Sequence, residues 1–216
     1  FNHLIHKADL ISQFQQKVPV TNYERFHNDW LHRSILGEKD VAWPGRMGYF
    51  ALSSGTTIGS SKKIPVSENM IRKFQKTTIQ QLSGLYELQL PPSFYESNAL
   101  IVGGSTDLEK VNKAYHGDLS GILAKNKSFV VAPFAKPPAR ISKMKGWDKK
   151  VEAIIESAPT WDIGVIAGVP SWVSQLLEMI IERYELETIH DIWPNLKIYS
   201  HGGIFLKPYK AKLDHL

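Results

Sequence analysis

The 216-residue chain is 43% hydrophobic and contains no cysteine. It can therefore bury one substantial core or supply part of a larger one, and it excludes disulfides, thiolate metal sites, iron–sulfur clusters and a cysteine nucleophile. Its 26 basic and 21 acidic side chains leave a net +5 spread along the sequence, which suits an anionic small molecule as well as a nucleic acid. No stretch approaches the ~20 apolar residues of a membrane span, and residues 1–20 lack the basic, apolar and small-residue order of a secretory signal. A soluble cytoplasmic protein with no membrane partner is expected. The sequence opens on Phe1, and 211–216 stops inside a helical pattern without a glycine stop, so both ends read as trimmed.

Helical spacing comes first in Leu10 and Phe14 and, after Pro19, in Tyr23, Phe26, Trp30 and Leu31, with Thr21 or Asn22 available as N-cap. Residues 48–53 form a short apolar run between Gly/Pro and a small-polar cluster, the pattern of a buried strand entering a loop. Ser67 can cap a helix whose apolar stripe is Ile71, Phe74, Thr78, Leu82 and Leu85. Further strands are expected over 99–104, 129–133, 163–168 and 196–200. Between the last two lies the most regular helix, with Trp172, Val173, Leu176, Leu177, Ile180, Ile181 and Tyr184 on one face and Pro170 in its first turn. A final helix begins near Pro208. Alternating strands and helices predict an α/β fold with a mixed, partly parallel sheet flanked by helices. The basic, proline-containing stretch 136–150 reads as an exposed loop leading into a helix.

The segment with the clearest chemical character is 53–63, Ser-Ser-Gly-Thr-Thr-Ile-Gly-Ser-Ser-Lys-Lys, directly after a predicted strand. Small residues let backbone N–H groups turn toward one point, glycines permit positive φ, and hydroxyls with lysine donate to polyphosphate. The spacing is not that of a Walker loop: Gly55 and Gly59 enclose three residues and Lys62 comes later. A polar surface loop with a glycine turn has the same composition.

Ser53-Ser54-Gly55-Thr56-Thr57-x-Gly59-x-x-Lys62-x-Ile64-Pro65, preceded by Trp43-Pro44-Gly45, resembles the phosphate loop of the acyl-adenylate-forming superfamily, and most closely that of the auxin-responsive acyl-acid amido synthetases of bacterial type. Val18-Pro19-Val20-x-x-Tyr23, residues 115–121, 168–172, 192–195 and 201–203 continue the resemblance in order, so it covers essentially the whole chain. It implies an ATP- and Mg²⁺-dependent ligase that activates a carboxylic acid as acyl-AMP and passes the acyl group to an amine or amino acid. A CoA ligase of the same superfamily and a non-catalytic nucleotide-binding module are the competing readings. By the resemblance Ser53, Ser54, Gly55, Thr56, Thr57, Gly59 and Lys62 hold the β- and γ-phosphates, and Lys62 and Thr56 act on the leaving pyrophosphate. The family's adenine, metal-ligating and ribose-binding segments have no counterpart here. The expectation is that residues 1–216 are part of the large domain, inactive alone, with the rest of the polypeptide as partner.

Other candidates are weaker. Gly202 and Gly203, with His201, follow a strand and are expected beside the adenylate, although a plain strand–helix turn reads the same. Val169 and Trp172 are candidate walls of an acyl pocket, while the stripe behind Trp172 reads as core. Gly103-Gly104-Ser105-Thr106 reads as a bend, because no basic residue stands nearer in sequence than Lys110. One histidine and one carboxylate in His116 and Asp118 do not make a metal or acid–base site. His3, His6, His27 and His32 lack carboxylate partners, so no metal is expected. The basic side chains of 136–150 read as a solvated surface and not as a nucleic-acid site.

Overall fold

The computed structural model describes residues 11–53 and 61–216. Two helical pieces open it: α1 (Ile11–Lys17), then α2 (Tyr23–Phe26) and α3 (His32–Ile35) on either side of a π-helical segment (His27–Leu31). Asn22 caps α2 through Oδ1, which accepts from the N–H of Arg25 at 2.9 Å. Leu31 and Ile35 from this layer bury against Met47, Phe50 and Ala114.

The strands make two four-stranded sheets. The first is mixed, in the order β2-β1-β5-β4, from β1 (Tyr49–Leu52), β2 (Lys63–Val66), β4 (Glu109–Val111) and β5 (Ala114–Gly117). β1 runs antiparallel to β2 and parallel to β5. The second is wholly parallel, in the order β6-β3-β7-β8, from β3 (Asn98–Val102), β6 (Ala135–Lys136), β7 (Ile163–Gly168) and β8 (Ile198–His201). The strands expected near Leu100, Val165 and Ile198 thus share one sheet, and the α/β expectation holds. The third expected strand is corrected: residues 129–131 form a turn with Phe129 87% exposed, and the strand is the two-residue β6 just beyond. Pro133 explains the difference, since it closes a 3-10 turn at 132–134 and cannot donate to a ladder.

The main core lies beside the parallel sheet. Leu100, Ile163 and Ile166 pack there against α8 (Trp147–Ser157), α9 (Pro170–Tyr184) and the fully buried Trp193. The predicted stripe of α9 is buried at Val173, Leu176, Leu177 and Ile180, and the indole N–H of Trp193 donates to the carbonyl of Ala158 at 3.1 Å. α10 (Lys207–Leu213) closes the chain against α9. Between these parts lie α4 (Glu68–Gly84), α5 (Pro92–Glu96), α6 (Leu119–Lys125) and α7 (Ala139–Ser142).

Helix α4 departs from its pattern. Ser67 caps it, accepting from the N–H of Met70, but only Ile71 of its predicted stripe is buried, while Phe74 and Leu82 are about two-fifths exposed. Amphipathicity shaped the helix, yet no described element packs over its far half. Substitutions separate the two situations: Leu176→Ala should cost about 2–5 kcal/mol through transfer and cavity terms, whereas Leu82→Ala should stay within about 0.5 kcal/mol. Urea denaturation of both variants measures this, and equal losses would mean that α4 is covered in solution.

Candidate active site

The carboxyl ends of β1, β3 and β5 converge, the region where α/β proteins place their ligands. A cavity of about 350 Å³ opens there, lined by Leu52 at the end of β1, Gly103 and Gly104 after β3, His116 to Asp118 at the end of β5, and Lys150, Trp147 and Trp172 from the helices. Trp147 and Trp172 meet with ring centroids 4.8 Å apart and make an aromatic wall. Lys145 and Asp107 pair across the rim at 3.2 Å, both largely exposed.

The floor of this cavity is interlocked. Gly104 N–H donates to Ser120 Oγ at 2.9 Å. A methyl group on Gly104 would stand 2.5 Å from Asp118 Oδ2, and one on Gly121 would overlap the carbonyl oxygen of Ser105. Glycine at 104 and 121 is therefore what lets the end of β3 nest against the first turn of α6. Beneath them Lys150, only 4% exposed, donates from Nζ to the carbonyls of Gly103 at 2.8 Å, Gly104 at 2.9 Å and Ser142 at 3.4 Å. Burial lowers its pKa from the ordinary lysine value, with the negative charge of Asp118 acting against that shift.

These residues correct two readings made above. Residues 103–106 do make a bend, but a basic residue reaches it from 46 positions away in sequence. Lys150 is also not part of a solvated surface. A signal for it existed: the stripe of α8 runs Trp147, Val151, Ile154 and Ala158, and Lys150 sits beside it, three residues from Trp147 and four from Ile154. His116 and Asp118 do line one cavity together, though no cluster of three metal-binding side chains exists among the described residues.

His116 is 3% exposed, its ring 5.2 Å from that of Phe50, and its Nε2 is buried with no hydrogen-bond partner. Burial, then the nearby Lys63, lowers its pKa below the ordinary imidazole value, with Glu109 opposing.

The phosphate-loop candidates Ser54, Gly55, Thr56, Thr57 and Gly59 lie outside the described residues. Their anchors do not. β1 and β2 form an antiparallel hairpin, so the segment leaves one strand and returns by the next. Ser53 N–H donates to the Lys62 carbonyl, and Lys62 N–H returns to Ser53 Oγ, each at 2.9 Å. Lys63 N–H donates to Tyr23 Oη at 2.9 Å. The Lys62 ammonium extends away from the hairpin, 3.6 Å from Glu24 and 4.9 Å from the centre of the Tyr23 ring, half exposed. Glu24 has its carboxyl held below the usual range, first by a backbone hydrogen bond and then by Lys62.

The second group of candidates stands at the other edge of the parallel sheet. His201 is exposed at the end of β8, with Tyr199 beside it at a ring distance of 5.6 Å. Tyr199 Oη donates to the Gly168 carbonyl at 3.1 Å, and burial pushes its pKa up to about 12. Gly202 has open space around it, while Gly203 adopts φ +87° and a Cβ there would come within 3.3 Å of Val169. Val169 and Gly203 are therefore neighbours; of the acyl-pocket candidates, Trp172 alone lines the cavity described above.

Comparison with known proteins now places the fold. A solved GH3.15 acyl acid amido synthetase superposes with a TM-score of 0.63 at 14% identity, over 85% of this chain and 32% of that one. AtGH3.15 acyl acid amido synthetase in complex with 2,4-DB gives a TM-score of 0.58 at 16% identity, with the same coverage. No curated protein matches the sequence. The fold is that of the N-terminal part of the large domain of such synthetases. The model of the GH3 family N-terminal domain matches residues 2–100 and 77–216, and the chain belongs to the GH3 family. It spans 32% of the length of the synthetases it resembles.

The state of His116 has a consequence for stability. Its folded pKa lies below the unfolded one, so the unfolded chain binds the proton first on acidification. The stabilising contribution is present above the ordinary histidine pKa of about 6.5 and is lost as pH falls through the folded value. Thermal denaturation against pH should show declining stability below about pH 6.5, and His116→Leu should flatten that decline without losing stability at pH 7.5, since Nε2 has no bond to lose. An unchanged slope in the variant would assign the decline to other groups.

Proposed function

We propose that the full-length protein is an ATP-dependent acyl-acid amido synthetase. In this reading a carboxylate attacks the α-phosphate of MgATP, acyl-AMP and pyrophosphate form, and an amine or amino acid then displaces AMP to give an amide. The reading rests on one juxtaposition in a GH3-family chain: the Ser53–Lys62 loop hangs from the carboxyl end of β1, one residue beyond Leu52 of the cavity wall. Phosphates on the loop and an acid in the cavity would then meet without a large displacement of either.

Neither step needs a protein nucleophile, so the work of the site is positioning and charge stabilisation. Ser53, Ser54, Gly55, Thr56, Thr57 and Gly59 would cradle the β- and γ-phosphates with backbone and hydroxyl donors, and Lys62 would leave Glu24 to neutralise the departing pyrophosphate. The indoles of Trp147 and Trp172 would flank the apolar part of the acid. Val169, His201, Gly202 and Gly203 would border the adenylate. No group of three metal-binding side chains stands among the described residues; in this reading Mg²⁺ arrives with the nucleotide and its protein ligand comes from the rest of the polypeptide.

Carboxylate-dependent pyrophosphate release by the full-length protein tests this reading. Lys62→Ala and Thr56→Ala should lower kcat on the order of 10²-fold with a smaller change in KM for the acid, because the lost contact acts mainly in the transition state. Lys73→Ala, on the exposed side of α4, serves as control. Wild-type rates in both loop variants would remove the loop from the mechanism, and AMP release that requires CoA in place of an amine would make the product a thioester.

A further inference from the structure

Lys150 is the one buried cation among the described residues, and the chemistry above gives it no task. A methionine of similar volume would fill its place in the α8 stripe without the cost of desolvating an ammonium. The charge therefore needs a use of its own. Part of that use is structural: its three contacts join Gly103 and Gly104, which line the cavity, to Ser142, which leads into Met144 and Lys145 of the same wall. Thr106 N–H to the Ser142 carbonyl at 2.9 Å and Ser105 Oγ to the Lys143 carbonyl at 2.9 Å run alongside.

Carbonyl bonds satisfy the donors of an ammonium but leave its charge in place. No carboxylate contacts Lys150 Nζ among the described residues; the three that line the cavity, Asp107, Glu109 and Asp118, are all exposed, Asp107 is already paired with Lys145, and Asp118 acts on Lys150 at a distance. Water screens those exposed carboxylates, while the buried charge of Lys150 is screened less, so its field reaches further into the partly apolar floor of the cavity than theirs does.

We propose that Lys150 is the positioning residue for the substrate acid, holding the Gly103–Gly104 turn and the 142–145 wall at fixed spacing and attracting the carboxylate into the cavity. The proposal rests on the reading of this cavity as the acid pocket. Lys150 does not touch the reacting atoms; it acts through backbone it holds and through its field.

The test measures binding to the full-length protein by tryptophan fluorescence, with 2,4-DB and its neutral primary amide as probes. Wild type should bind the acid at least about tenfold more tightly than the amide. Lys150→Met, which keeps the volume and loses the charge, should weaken acid binding by a similar factor and leave amide binding unchanged. In the amido synthetase assay it should raise KM for the acid more than it lowers kcat. Methylammonium should restore acid affinity to Lys150→Ala, which a packing role would not allow. Two results overturn the proposal: equal affinity of wild type for acid and amide, a measurement that needs no variant to fold, or a folded Lys150→Met that binds the acid like wild type. Trp172→Ala separates this from the underlying reading. If that variant binds the acid as wild type does, the cavity is not the acid pocket and both readings fall; if it binds weakly while Lys150→Met does not, only the role of Lys150 is lost.

Discussion

The contact between the Lys150 ammonium and three backbone carbonyls is the point on which the floor of the cavity depends. An ammonium withdrawn from water loses several kcal/mol of hydration, and charge-assisted bonds of about 1.5–3 kcal/mol each offset much of that. The offset exists only while all the acceptors stay in place. The end of β3, the end of α7 and the first turn of α8 are thereby held to one geometry, because moving any of them strands a buried charge. A hydrophobic contact at the same spot would tolerate sliding; this one does not.

From that fixed point the rest of the cavity follows. Glycine at 104 and 121 allows the β3 end and the α6 start to nest within van der Waals distance, which brings β5 and its His116 beside the parallel sheet. β1, parallel to β5, then delivers Leu52 to the same rim. The two sheets thus contribute their carboxyl ends to one hollow although they share no ladder. The carbonyls on its floor point toward Lys150, and the aromatic wall comes from α8 and α9, whose own positions are set by the core around Trp193.

How much of this was legible depended on where burial occurred. Residues 163–168 read clearly as a strand because a parallel strand covered on both faces is a continuous apolar run. The stripe of α9 and the cap at Ser67 were equally plain, each being a local pattern. β2, β4 and β5 escaped notice: three or four residues long and half polar, they owe their pairing to neighbours distant in sequence. Phe129 and Val130 misled in the opposite direction, as apolar residues that stay exposed in a turn. The chemical character of residues 53–63 was recognisable by composition, while the cavity at Leu52 was not, since Lys150 and His116 gain their meaning only from tertiary contacts. A lysine in a basic stretch looks solvated until the helix that carries it is seen to face inward.

The hairpin that carries the Ser53–Lys62 loop has a mechanical effect as well. The reciprocal bonds between Ser53 and Lys62 pin both ends of the segment, and Tyr23 secures the residue that follows. The entropy of bringing the two ends of this connection together is therefore already spent in forming the β1–β2 ladder. The register of the sheet, and with it the hollow at Leu52, is thereby set by the ladder and its pins and not by what lies between them.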